Sequence, residues 1–268
     1  MKILAVETAT TWQSVAILDD NRVLAHESHQ SAGAHSALLL PTIHRMLSGA
    51  GLRVQHMDGL ACSSGPGSFT GIRVGVSTCL GLRDATGLAL ALVPTLEAMA
   101  WNMKNITGLL CPVLISRKGE AYWAVFRWVN GRLERTVSET VGSPRALGRS
   151  LTTDTMLFGE GWSENEADIR AGVSPRITIV SSLGEAVRPS AVSVGELGLD
   201  RMRRGDLAGL HITPQYVQRT EAEIRYEQSG GLSPAARREE RVIRKMGARS
   251  SRRSRYTDRT GNVRKSNR

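Results

Sequence analysis

The chain has 268 residues, enough for one large domain or two lobes with a real core, and its hydrophobic fraction of 41% is ordinary for a soluble protein. Its formal charge of +10 is unevenly placed: residues 1–229 carry 22 Lys and Arg against 22 Asp and Glu, whereas residues 230–268 carry 13 against 3. No run of about 18 apolar residues offers a membrane span, and Glu7 brings an acid too early for a signal peptide. These features predict a cytoplasmic protein. Cys62, Cys79 and Cys111 are scattered, odd in number and without paired metal spacing, which reads as reduced core thiols.

In chain order, residues 3–6 read as a short buried strand, 14–18 as a second and 23–26 as a third, with Asp19, Asp20 and Asn21 turning the chain between the last two. The spacing then predicts a helix over about 34–50, with Leu38, Leu39, Ile43, Met46 and Leu47 on one stripe and Gly49 and Gly51 as its stop. Pro41 inside it implies a late start or a kink. A strand at 59–62, a glycine loop with a helix over 72–82 behind it, a strand at 89–93 and a helix over 95–103 complete the first half.

The second half repeats the theme. Residues 109–115, 121–128 and 133–139 are three strands, with Asn130-Gly131 as the hairpin turn between the last two. Helices near 145–150 and 163–171, strands at 156–158 and 177–180 and a helix over 190–203 follow. Two halves that each open with three strands predict an internal duplication. The expected fold is therefore α/β with two lobes, 1–108 and 109–225, and a basic segment, 226–268. This order is that of the actin-like ATPase, sugar-kinase and heat-shock-ATPase architecture, the RNase H-like (ASKHA) duplication in which each lobe opens with three antiparallel strands. The basic segment has almost no apolar content after Met246 and is expected to be disordered.

The glycine loop, Ser64-Gly65-Pro66-Gly67-Ser68-Phe69-Thr70-Gly71, is the stretch around which the first half is organised. Gly65 and Gly67 can take φ > 0 or lie against another backbone, Pro66 fixes the turn between them, and Ser68 or Thr70 can cap the helix behind. Free N–H groups at such a helix start can meet an anion. The loop lacks the Gly-Lys-Ser/Thr ending of a Walker loop and the spacing of a dinucleotide fingerprint. A tight structural turn and a phosphate cradle both remain open from these residues.

Three stretches carry a family resemblance. Ile3-Leu4-Ala5-Val6-Glu7-Thr8-Ala9-Thr10, the Gly65–Gly71 loop with its Ser-Phe-Thr-Gly continuation, and Arg117-Lys118-Gly119-Glu120-Ala121-Tyr122-Trp123 together resemble TsaB, also called YeaZ. Pro214-Gln215-Tyr216-Val217 followed by Glu221-Ala222-Glu223 looks like that family's C-terminal signature, so the resemblance spans about residues 1–225. It implies a non-catalytic scaffold or activating subunit for making N6-threonylcarbamoyladenosine at position 37 of tRNAs that read codons beginning with A. The implied partners are TsaD, TsaE and, through the complex, tRNA; a homodimer is a further expectation.

The resemblance also implies a degenerate nucleotide site at Glu7, Thr8, Gly65 and Gly67, with no cofactor held tightly and room for ATP or ADP only at the complex interface. Glu7 has two readings: an acid that organises Mg²⁺ and phosphate, or a strand end bonded to the hairpin backbone. Where TsaD resembles Val-His-His-Met-Glu-Gly-His and holds its metal with the second and last histidines, this chain has Val93-Pro94-Thr95-Leu96-Glu97-Ala98-Met99. Thr95 and Met99 are poor ligands for iron or zinc. Many family members place Asp before the arginine of the second-lobe motif; here Ser116 precedes Arg117. Arg117, Glu120 and Tyr122 have two readings, bonds across the groove between lobes or a hairpin surface.

His26, His29, His35, His44, His56 and His211 show no ligand-spaced pair with a carboxylate, and Ser63, Ser64 and Ser68 lie in no nucleophile elbow. Catalytic and metal residues are thus expected to be absent. The alternative function is an ATP-dependent small-molecule kinase or ATPase of the same fold.

A docking face is expected on the helix after the loop, where Gly71, Gly75, Thr78 and Leu82 recur at spacings of four, three and four, beside Leu39, Ile43 and Met46 of the preceding helix. Small residues there admit a partner helix, or seat the helix on its own sheet. The basic segment either neutralises tRNA phosphates without reading sequence or is a solvated appendage.

Overall fold

The computed structural model describes residues 1–209 except Asn21, Ala32, Ala34, Asn105, Lys118 and 183–187. The Pro214 and Glu221 signatures, His211 and the basic segment lie outside the described residues. Among the described residues ten strands form two five-stranded sheets whose orders are β3-β2-β1-β4-β5 and β10-β9-β6-β7-β8. The first contains β1 (Lys2–Glu7), β2 (Trp12–Asp19), β3 (Arg22–Gln30), β4 (Gly59–Ser63) and β5 (Ala89–Val93). The second contains β6 (Leu109–Ile115), β7 (Ala121–Val129), β8 (Arg132–Gly142), β9 (Thr155–Phe158) and β10 (Ile179–Ser182). In each, the first three strands are antiparallel neighbours and the next two add in parallel on the other side. The two orders map onto each other strand for strand, which is the expected two-lobe α/β duplication.

The helices α1 (His35–Gly49), α2 (Phe69–Thr86), α3 (Thr95–Trp101), α4 (Pro144–Ser150), α5 (Glu160–Arg170) and α6 (Ala191–Arg203) fall at matching points of the two halves. Leu4, Val6, Val15 and Ile17 point to α1 and α2, while Ile3, Ala5, Ala16 and Leu18, one residue out of step, point to α6. That alternation is the period-two signature of a sheet covered on both faces. The last helix of each half is exchanged: α3 packs on β6, β7 and β8, and α6 packs on β1, β2, β4 and β5. Gly195 and Gly198 permit the second of these contacts, because side chains there would run into Leu18 and Ala61. Glu97 of α3 ties the exchange together by accepting from Arg135 of β8 at 3.1 Å and Arg201 of α6 at 2.9 Å.

Several boundaries depart from expectation. Strand β3 continues to Gln30 as an edge strand whose polar residues face water and hide the apolar signal. Helix α2 starts at Phe69, inside the glycine loop, where the Ser68 hydroxyl accepts the Gly71 N–H at 3.2 Å. Helix α3 ends at Trp101, and a single 3₁₀ turn at Val54–His56 was not anticipated. Pro41 lies inside α1 without delaying its start. Position 41 and Ala37, whose carbonyl loses its partner, are both exposed, so water can replace the missing bond.

Candidate functional site

Glu7 closes β1 on the sheet face shared with Ala5 and α6, and its rung-mate across the antiparallel pair is Ser14. Its Oε1 accepts the Ala9 N–H, and its Oε2 is buried without a hydrogen-bond partner. Ser63, at the end of the neighbouring β4, and Thr95, at the first turn of α3, also bury hydroxyls without partners. Burial pushes the Glu7 carboxyl up to about 7, against the Ala9 N–H, the nearby Ser63 hydroxyl and the Thr8 backbone, which pull it down. Ser14 accepts the Ala191 N–H at 3.1 Å and meets His26 Nε2 at 3.0 Å, so α6 begins against this polar rung.

The glycine loop is pressed onto the β1–β2 turn. Gly65 and Gly67 have φ of 103° and 153°, and a β-carbon on Gly67 or Gly71 would run into the carbonyls of Ala9 or Thr8. Thr8 Oγ1 donates to the Gly71 carbonyl at 2.8 Å. Three of the loop's donors are used inside the chain: Ser64 N–H on Val93 O at 2.9 Å, Ser68 N–H on Ala9 O at 2.6 Å and Gly71 N–H on Ser68 Oγ. The missing side chains of Gly67 and Gly71 serve close approach to Ala9 and Thr8, and the donors used in this way are not open to an anion.

Met99 is fully buried beside Leu96 in the core that α3 shares with Leu110 and Phe126. Neither it nor Thr95 is joined by a cluster of acids, histidines or cysteines: among the described residues no three such side chains gather as metal ligands. Arg117 and Glu120 pair with each other through two bonds of 2.9 Å, and Tyr122 is buried in the second sheet's core. Near the second-lobe glycine Gly159, Glu160 has its carboxyl raised by burial and by Glu164, with Arg188 opposing. All three cysteines are free and buried. Cys62 lies beside Cys79, and this contact, with burial, pushes its thiol up.

The expected docking residues are placed mostly inside the chain. Leu39, Ile43 and Met46 are 1%, 3% and 7% exposed in the core between α1, α2 and the first sheet. Gly71 and Gly75 face Thr8, and Gly75 also faces Cys62, while Thr78 and Leu82 are half-buried. Gly71 and Gly75 therefore seat α2 on its own sheet and offer no surface to a partner, whereas Thr78 and Leu82 keep part of theirs. What α1 and α2 show to solvent instead is Leu38, Leu40 and Phe69. A separate open cleft of about 780 Å³ lies among Trp101, Lys104, Arg132, Leu133, Leu197 and Arg203, and none of the expected nucleotide or partner-interface residues lines it.

The sequence reading missed His35, Ser31 and Thr10 as a bonded group. His35 Nε2 meets the Thr10 carbonyl and His35 Nδ1 the Ser31 hydroxyl, both at 2.9 Å. No local signal marks a contact between residues 25 apart in the chain.

A family model described as TsaD, tRNA N6-adenosine threonylcarbamoyltransferase, matches residues 23–157, half of the chain. The chain is 25% identical over 232 residues to the Bacillus subtilis tRNA threonylcarbamoyladenosine biosynthesis protein TsaB, covering 85% of this chain and 99% of that one. Against the Escherichia coli protein of the same name it is 29% identical over 226 residues, 81% and 95% of the two chains. The chain belongs to this family, in its TsaB (YeaZ) group. The solved structure of YeaZ from Pseudomonas aeruginosa has the same fold, with a TM-score of 0.66 at 24% identity over 77% of this chain and 94% of that one. Among the described residues no helix is long and apolar enough to cross a membrane.

Proposed function

We propose that the chain works in the formation of N6-threonylcarbamoyladenosine at position 37 of tRNAs reading codons that begin with A, as a non-catalytic scaffold and activating subunit beside TsaD and TsaE. The pathway rests on the names of its TsaB relatives. The observation that supports the scaffold role is Thr95 and Met99, which by resemblance stand where TsaD carries its metal-binding histidines: both are fully buried, and Met99 is packed among apolar side chains. Such a site stabilises the fold but cannot polarise an acyl phosphate or activate a water. The loop donors spent on Ala9 and Val93 support the same reading.

TsaD is proposed to dock on the solvent face of α1 and α2, where Leu38, Leu40 and Phe69 are exposed. A second copy of this chain would compete for that face. Nucleotide, where present, belongs at the interface of the complex. The test is reconstitution: modification of tRNA by TsaD and TsaE is expected to depend on added chain, while the chain alone hydrolyses no ATP. Hydrolysis by the isolated chain, abolished by Glu7→Gln, would favour the kinase or ATPase reading.

A further inference from the structure

Two outer helices are fastened to the same four-residue turn. On one side the start of α2 grips it: Ser68 N–H donates to Ala9 O at 2.6 Å, Thr8 Oγ1 donates to Gly71 O at 2.8 Å, and Gly67 and Gly71 abut the Ala9 and Thr8 carbonyls. On the other side the first residue of α1 grips it through His35, whose Nε2 bonds Thr10 O. A carbonyl only accepts, so Nε2 carries the hydrogen and Nδ1 accepts from the Ser31 hydroxyl. Ser31 N–H in turn donates to Thr11 O at 2.9 Å. On the inner side of the same turn Ala9 N–H donates to Glu7 Oε1, and the other Glu7 oxygen is buried and unpartnered.

We propose that the turn at Thr8, Ala9, Thr10 and Thr11 relays occupancy of the α1–α2 face to Glu7, with His35 as the positioning residue that couples α1 to it. The inference rests on the docking reading above. The turn joins β1 to β2, both inside the sheet, so it has no slack, and close-packed contacts transmit displacement instead of absorbing it. A small shift of either helix reaches the Ala9 N–H through one hydrogen bond or one hard contact. Glu7 is the group able to answer, because Oε2 and the neighbouring Ser63 hydroxyl are both buried with bonding capacity unused.

Amide hydrogen exchange on the full chain, alone and with TsaD, tests this in the wild type, His35→Phe and Ser31→Ala. TsaD is expected to slow exchange across α1 and α2 and to change that of the Ala9 and Ser68 amides by about fivefold or more, the lower end of ordinary coupling between sites. In His35→Phe the helices stay protected by TsaD while the Ala9 response falls toward none; Ser31→Ala lies between. An Ala9 amide indifferent to TsaD, or equally responsive in His35→Phe, overturns the relay and leaves docking intact. Absence of protection on α1 and α2 overturns docking and the relay with it. Should His35→Phe fail to fold, Ser31→Ala decides, and an undiminished Ala9 response there overturns the relay.

Discussion

The Thr8 hydroxyl occupies the space that a β-carbon on Gly75 would need. Gly75→Ala is therefore expected to destabilise the protein by about 1–3 kcal/mol through overpacking, and Gly75→Arg to prevent folding. Gly81 on the same helix has nothing within 4 Å of its β-carbon position. Gly81→Arg is predicted to keep its circular dichroism and melting temperature, since leaving glycine also favours the helix by about 1 kcal/mol. If TsaD docks on the exposed face of α1 and α2, this variant loses TsaD in a pull-down. A stable Gly81→Arg that binds TsaD normally would move the interface elsewhere.

Glu7 makes stability depend on pH in a direction opposite to the usual carboxylate. Its folded value of about 7 lies above the ordinary glutamate value of 4.5. Below about 4.5 the group is neutral in both states; above about 7 folding must hold its charge in a buried site. Stability is thus predicted to fall between these limits by an amount on the order of 3 kcal/mol. Urea melts of wild type and Glu7→Gln at pH 5 and pH 8 isolate the effect from other groups: the two proteins are expected to diverge at pH 8. Equal stability differences at both values would show that Glu7 is not the titrating group.

The isolated chain is predicted neither to hydrolyse ATP appreciably nor to retain iron or zinc. Thr95 and Met99 at the ligand positions and Ser116 at the acid position motivate this expectation. Metal analysis after dialysis against a weak chelator checks it, and close to one iron or zinc per chain would sink it.

Residues 230–268 hold 13 basic and 3 acidic side chains. If they help the complex capture tRNA, a chain ending at 229 is predicted to bind tRNA more weakly within the complex, with a shallower salt dependence. Each lost phosphate contact lowers the log–log slope by roughly one unit. Filter binding at several salt concentrations measures both quantities, and unchanged affinity and slope would reduce the segment to a solvated appendage.

Most of the architecture is legible in the chain because burial repeats at short range. Alternation in residues 14–18, turn residues at Asn130-Gly131 and the apolar stripe of α1 each report local geometry. Even the exchanged helices α3 and α6 were visible as helices. Edge strand β3 was underestimated because its exposed residues are polar whatever its backbone does.

What only tertiary structure decided is the direction in which residues point and what they meet. A spacing of four and three puts Gly71, Gly75 and Thr78 on one helical face, but periodicity is identical whether that face meets a partner or the chain's own Thr8 and Cys62. Gly67 and Gly71 announce a close approach of backbone in sequence; that the approaching atoms belong to Ala9 and Thr8 depends on a strand pairing more than 50 residues away. Likewise Glu7 is an ordinary acid in the sequence. Its raised carboxyl and its unpartnered oxygen exist only because the folded chain buries it away from water.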